Sequence, residues 1–389
     1  LRPGPGERVP ASPLPDGAAV VTSGAPLASR VPLASRAVAV TVVRWDDPEA
    51  ARLRDLQQAE LAVLYGHPDE ADGADEPAEA DLSRDQVDPS TVTATVLVRV
   101  DGEAAACGSV RDMSGLPDGR GGVHPSATGE VKRMYVAPSF RGRGLSRRVL
   151  AAVETAAVEA GLRDLVLECG TLQVEAIGLY LSMGYLPIER FGVYAQETGS
   201  RCFGKAVPER AGAASAGAAP AALPEPAVLD LRPVAWDHEH AAALRREMLA
   251  FNLERYPEVA GHVAVRGGFE GVDPRMGERV VLTLVAYRDG EPVGCGSLRP
   301  ALVGSAFEVR TVFVRERARR AGVAWALLAA LEDAALGLGA DELLLETGIR
   351  QPEALRLYLA LGFRPVLPFP PYGPEDDPFG LFLGKALGR

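Results

Sequence analysis

The chain repeats itself, and that constrains its fold more than any other feature. Displacing the sequence by 178 positions lays Glu130 on Glu308, Arg141 on Arg319, Gly144 on Gly322 and Glu168 on Glu346. The same displacement lays Tyr180 on Tyr358 and Gly184 on Gly362. Over the ungapped window that ends at Pro187 and Pro365, roughly two positions in five are identical. Upstream, Asp101-Gly102-Glu103 and Cys107-Gly108-Ser109 match Asp289-Gly290-Glu291 and Cys295-Gly296-Ser297 at a displacement of 188. The first copy therefore holds about ten extra residues in the Gly/Pro-rich loop 113–129. Trp45-Asp46 and Trp236-Asp237 correspond further upstream. A chain of 389 residues is too long for one ordinary core and suits two. Here the two are copies of one unit.

The copies share one order of elements. A short strand (38–44; 228–233) precedes an amphipathic helix (48–65; 238–255). Two strands joined at Asp-Gly follow, 92–100 into 104–111 and 280–288 into 292–299, and Asp-Gly between apolar runs signals a hairpin. A further strand (130–136; 308–314) enters a helix (145–160; 323–338) through a short basic loop. In the first of these helices Leu145, Val149, Val153 and Ala156 share one face. A strand (165–169; 343–347), a helix (174–183; 352–361) and a final strand pair close each unit. The expected class is α/β with a mixed sheet, antiparallel first and β-α-β afterwards. The expected units are 39–207 and 227–389. They are separated by an Ala/Gly/Pro linker at 208–226 and preceded by a Pro/Gly/Ser/Ala-rich tail at 1–38 without periodicity.

Composition excludes several function classes. The net charge of −11, from 41 basic and 52 acidic residues, lacks the basic face that nucleic acid requires. Apolar runs such as 92–100 are strand-length, so no membrane span is expected. The four cysteines show no Cys-x-x-Cys or Cys/His ligand spacing, and the five histidines are scattered, which speaks against metal. The expected compartment is a reducing cytoplasm, and the expected state a monomer or homodimer.

The sharpest local signal is Arg141-Gly142-Arg143-Gly144-Leu145-Ser146, at a strand-to-helix turn. Small residues allow close backbone approach, and first-turn N–H groups lack intrahelical partners, so helix dipole and arginines together form a pyrophosphate cradle. No Gly-Lys-Ser/Thr follows, which excludes a Walker loop, and Gly-x-Gly-x-x-Gly is incomplete. The second copy has Arg319-Arg320-Ala321-Gly322-Val323-Ala324 in the same place.

On these residues the chain resembles the GNAT (GCN5-related) N-acetyltransferases. Both hexamers fit the Gln/Arg-x-x-Gly-x-Gly/Ala acyl-CoA signature, with Ser146 in the last slot of the first. Glu130-Val131-Lys132-Arg133-Met134-Tyr135-Val136 precedes the loop, and Leu179-Tyr180 with Gly184-Tyr185 follows late, matched by Leu357-Tyr358 with Gly362-Phe363. The resemblance spans nearly all of 39–207 and 227–389. It implies acetyl transfer from acetyl-CoA to a primary amine through a ternary complex. Backbone N–H groups of the two hexamers would hold the pyrophosphate. The strand ends Met134, Tyr135, Val136 and Val312, Phe313, Val314 would pair with the pantetheine arm. A free amine has a pKa near 10.4, so presenting it neutral at pH 7 costs roughly 4–5 kcal/mol. Glu130 and Glu308 inherit the role of the carboxylate that lowers this barrier. Tyr180 and Tyr358 inherit the hydroxyl that meets the departing thiolate, and Glu168 and Glu346 lie where substrate contact is expected.

On sequence the N-terminal copy is the better cofactor site, because Arg320 and Ala321 replace Gly142 and Arg143. Cys169 beside Glu168 suggests a nucleophile, yet Thr347 fills its place in the second copy, which favours packing. The stretch 69–88 holds nine acids and one base, either a solvated loop or a guide for a cationic acceptor. The rival class is non-enzymatic: one or both copies acting as a CoA-binding sensor or an interaction scaffold.

Overall fold

A computed structural model describes residues 36–66, 86–208, 229–373 and 377–388. Nearly all of the expected tail, linker and acidic stretch lies outside the described residues. The first copy comprises β1 (Val38–Val43), α1 (Pro48–Leu64), β2 (Val92–Val100), β3 (Glu103–Asp112) and β4 (Thr128–Val136). It continues with α2 (Leu145–Glu159), β5 (Asp164–Gly170), α3 (Val174–Ser182), β6 (Leu186–Ile188) and β7 (Ser200–Ala206). The second comprises β8 (Asp230–Val234), α4 (Glu239–Arg255), α5 (Ala260–Val265), α6 (Gly268–Met276), β9 (Leu282–Arg288) and β10 (Glu291–Pro300). Its remainder is β11 (Phe307–Val314), α7 (Val323–Gly337), β12 (Glu342–Gly348), α8 (Pro352–Ala360), β13 (Arg364–Pro365) and β14 (Gly380–Ala386).

Each copy builds one seven-stranded mixed sheet, ordered β1-β2-β3-β4-β5-β7-β6 and, in the same sense, β8-β9-β10-β11-β12-β14-β13. The Asp-Gly hairpins form as expected. Asp101 and Gly102 have φ 51° and 88°, Asp289 and Gly290 51° and 81°, the left-handed pair that a two-residue turn between twisted strands requires. One face of each sheet is covered by a helix with an apolar stripe. Leu145, Val149, Leu150, Val153 and Ala157 of α2 are buried, as are Val323, Leu327, Leu328, Leu331 and Ala335 of α7. Each such leucine contributes about 1.5–3 kcal/mol by leaving water. Helices α5 and α6 fall where sequence periodicity gives no sign of them, because glycines and Pro274 interrupt the pattern. Asp273 of α6 nevertheless meets the buried Arg245 of α4 through paired bonds of 2.6 and 2.9 Å.

The feature that positions the site is a split in each sheet. β4 and β5 pair in parallel only from Thr128 to Glu130, and β11 and β12 only at Phe307 and Glu308. Beyond those residues a bulge bends the central strand away. Its residues Arg133 and Thr311 have φ 58° and 52°, and the register with β3 and β10 shifts opposite them. Gly108 on β3 accommodates the bend, since a Cβ there would sit 2.4 Å from the Met134 sulfur.

Candidate active site

At the mouth of the first split the chain passes from β4 into α2. Gly142 and Gly144 have φ 72° and 73°, and no side chain caps α2. A Cβ at either glycine would meet nothing within 4 Å, so glycine is required there by backbone conformation and not by space. First-turn N–H groups therefore face outward from Leu145 and Ser146 without intrahelical acceptors. In the second copy Arg320 takes the place of Gly142 at φ 59°, a conformation that costs a non-glycine residue roughly 1–2 kcal/mol. Gly322, at φ 77°, again precedes its helix, which opens with Val323 and Ala324.

The leading arginines turn sideways. Arg141 donates to Val136 O at 2.9 Å and to Glu60 of α1 at 2.5 Å, over the ring of Tyr135. Arg319 donates to Val314 O at 3.1 Å and lies 4.7 Å from the ring centre of Phe251. Both brace the loop to the strand end and the first helix, and the Arg141 charge is countered by Glu60. Arg143 stacks over Phe140, a contact that Ala321 cannot repeat. On the strand edge, Met134 O accepts from Gln57 at 3.0 Å, whereas in the second copy Val312 lines an open cavity beside Met248.

Glu130 and Glu308 sit where each sheet begins to split, both buried. Arg111 grips Oε2 of Glu130 from β3 at 2.5 and 2.6 Å. Its Oε1 has no hydrogen-bond partner, and the Lys132 ammonium lies 3.7 Å away. Lys132 and Tyr194 are bonded to each other, and both are buried with Phe191 and His124 of the extra loop nearby. Glu308 repeats the arrangement with more partners. Arg299 holds Oε2 at 2.6 and 2.7 Å, while Arg310 (2.9 Å) and the Tyr372 hydroxyl (3.2 Å) donate to Oε1. Arg310 and Tyr372 are half-buried.

The second copy opens onto a cavity of about 330 Å³. Glu308, Arg310, Glu346 and Tyr358 line it together with Asp377 and Phe379. Four positions that sequence kept apart thus converge on one space: central strand, strand end, late helix and a loop before β14. Burial, and then Asp377, push the Glu346 carboxyl up to about 8. Burial, followed by the nearby Glu346, lifts the Tyr358 hydroxyl far above its ordinary 10, so it keeps its proton at any physiological pH. Tyr180 is raised likewise by burial, then by Cys169 and Glu168. In the first copy Glu168 accepts from Ser200 Oγ at 2.6 Å, where the second copy has Gly380. The cysteines are free and buried, and burial pushes Cys107 and Cys295 to about 12, so none is a poised nucleophile. Among the described residues no group of three or more His, Cys, Asp or Glu is arranged to hold a metal ion. Among them, too, no helix is long and apolar enough to cross a membrane.

Sequence reasoning missed Lys132 and Arg310 beside the two glutamates, and Tyr194 and Tyr372 across from them. The 178-position displacement pairs each set, so a register count was signal enough. Asp377 carried no such signal, because the same displacement pairs it with Gly199.

Residues 51–185 and 273–363 match the model of the acetyltransferase (GNAT) family, more than half of the chain. The chain belongs to the GNAT acetyltransferase family. It is an acyltransferase built as two GNAT folds in tandem. It is 43% identical over 104 residues to an IAA acetyltransferase of Azospirillum brasilense, covering 27% of this chain and 67% of that protein. Solved GNAT structures align with one copy's length. PaiA N-acetyltransferase from Thermoplasma acidophilum in complex with coenzyme A is 14% identical, at TM-score 0.33, over 41% of this chain and 100% of that one. IAA acetyltransferase from Bacillus cereus is 20% identical, at TM-score 0.30, over 41% and 99%.

Proposed function

We propose that the chain transfers the acetyl group of acetyl-CoA to a primary amine by direct attack in a ternary complex, and that the C-terminal copy carries the chemistry. The observation that supports this most is the cavity in which Glu346, Glu308 and Tyr358 meet. Residues present in both copies fit acetyl-CoA: a left-handed glycine before an uncapped helix N-terminus, at the mouth of a split sheet. Gly142, Gly144, Leu145 and Ser146 would hold it in the first copy, Gly322, Val323 and Ala324 in the second. When bound, its thioester supplies an acyl carbon open to attack by a neutral amine.

The acceptor enters as an ammonium ion and must shed a proton. Both carboxylate oxygens of Glu308 are already engaged, by arginines and by Tyr372. Glu346 sits in the same cavity with its carboxyl raised to about 8, close to the pH at which it would work. We therefore assign proton removal to Glu346. Glu308 keeps Arg310 in the wall. Tyr358, still protonated, presents its hydroxyl to the leaving sulfur.

A second reading holds for the N-terminal copy. Its loop has the relaxed glycine pair and is the better phosphate cradle, but Glu130 is sealed beneath Lys132 and Tyr194. That combination supports cofactor binding without turnover. Calorimetric titration with acetyl-CoA, and thiol release across a panel of amines, test both statements. Two binding sites with turnover abolished by Glu346→Gln and kept by Glu168→Gln are expected. Turnover that survives Glu346→Gln unchanged sinks the assignment.

A further inference from the structure

Two loops form one wall of the C-terminal cavity: the turn after β12, with Gly348 and Gln351, and the segment before β14, with Asp377 and Phe379. Backbone carbonyls of the second segment, where the chain enters β14, must find donors. Phe379 O accepts from the Ile349 amide at 2.8 Å, which ties the two loops together. The carbonyls of Asp377, Pro378 and Gly380 each accept from an arginine of the N-terminal copy. Arg201 on β7, 2% exposed, donates to Asp377 O at 2.5 Å and to Gly380 O at 2.8 Å. Its remaining bonds go to its own copy, at Thr198 O and Ser200 O. Arg190 donates to Pro378 O at 3.0 Å. The first loop is gripped from the same side. Glu189 takes two donors of Arg350, whose own amide donates to Tyr256, a cavity residue, at 2.9 Å.

The grip runs one way. Strand register places Leu381 where the first copy has Arg201, and the repeat places Leu367 and Pro368 where it has Glu189 and Arg190. None of these carries a polar side chain to return the contact. A buried guanidinium whose partners are all carbonyls, with no paired carboxylate, is expensive to keep unless it fixes a shape.

We propose that Arg201, supported by Arg190 and Glu189, is a positioning residue for the acceptor site: the N-terminal copy sets the wall that holds Asp377 and Phe379 in the cavity of its neighbour. The proposal rests on the C-terminal cavity being the acceptor site. The N-terminal copy is thereby a working part of the second site, whether or not it turns over itself.

The experiment uses the full chain with Arg201→Gln, Arg201→Lys and, as a milder lesion at a half-buried rim, Arg190→Ala. Hydrogen exchange is read at the amides of residues 350, 379 and 380, and acceptor and acetyl-CoA kinetics are measured in parallel. Losing a charged hydrogen bond should speed exchange at these amides by about tenfold and leave β4 and β11 unchanged. The acceptor KM should rise about tenfold, kcat and the acetyl-CoA KM should stay within about twofold, and lysine should restore part of the loss. Wild-type exchange in Arg201→Gln and Arg190→Ala, or faster exchange spread evenly over both sheets, overturns the proposal. If Glu346→Gln retains turnover while these amides still exchange faster, the site assignment fails and the grip stands.

Discussion

The two copies place the same carboxylate at the same fork and then surround it differently. Around Glu130 the partners Arg111, Lys132 and Tyr194 are closed over, and His124 of the longer β3–β4 loop lies against Phe191. Around Glu308 the partners Arg299, Arg310 and Tyr372 are arranged alike, but the far side is an open cavity bounded by α4, α6 and the segment before β14. Duplication preserved the ion pair, whose loss would leave a buried charge unmatched. Access was free to diverge, because it depends on loops that carry no such penalty.

The largest expected effect tests the shared part. Glu130→Gln and Glu308→Gln should each cost up to about 3–5 kcal/mol in denaturant unfolding of the full chain, since a half-buried arginine loses its buried counter-charge. A loss near zero at either position would mean that its floor is not a closed ion pair. The next effect tests the difference. Glu346→Gln should lower kcat about a hundredfold, whereas Glu168→Gln should change it by no more than about twofold.

The pH dependence sharpens the same contrast. Glu346 must be ionised to take a proton, so kcat should rise with pH through about 8, and that limb should vanish in Glu346→Gln. The sign for stability is opposite. A carboxyl raised from 4.5 to about 8 binds more protons folded than unfolded, so stability falls as pH climbs through this window. Removing the carboxyl should flatten that slope in a series of thermal melts. A smaller step is expected at the late tyrosines: Tyr358→Phe should slow turnover about tenfold and Tyr180→Phe hardly at all. Equal losses at both would restore two working copies. Least of all, Arg320→Gly should relieve the left-handed strain and gain at most about 1 kcal/mol, while Gly142→Arg loses a similar amount.

Much of this fold is legible in the repeat. Asp-Gly at 101–102 and 289–290 sets hairpins through its own backbone preference, and the stripe on α2 follows from spacing alone. Gly142 and Gly144 announce their conformation because few other residues tolerate it. The site is less legible. Glu130 and Glu308 carry the same letter in the same motif, yet Lys132 and Tyr194 beside the one are buried while the other lines a cavity. Helix α6, which gives Met276 to that cavity, leaves no periodic trace across Gly267-Gly268 and Pro274.

By itself the sequence determined that one unit is built twice, with its hairpins, its covering helices and the glycine turns that lead into them, because these depend on neighbours along the chain. Only the tertiary structure gathered Glu308, Glu346 and Tyr358 around one cavity, raised the Glu346 carboxyl to about 8, and set Arg201 of one copy against the backbone of the other. Those outcomes depend on burial and on contacts between segments far apart in sequence, such as the 176 positions from Arg201 to Asp377. Local preference carries no information about that distance.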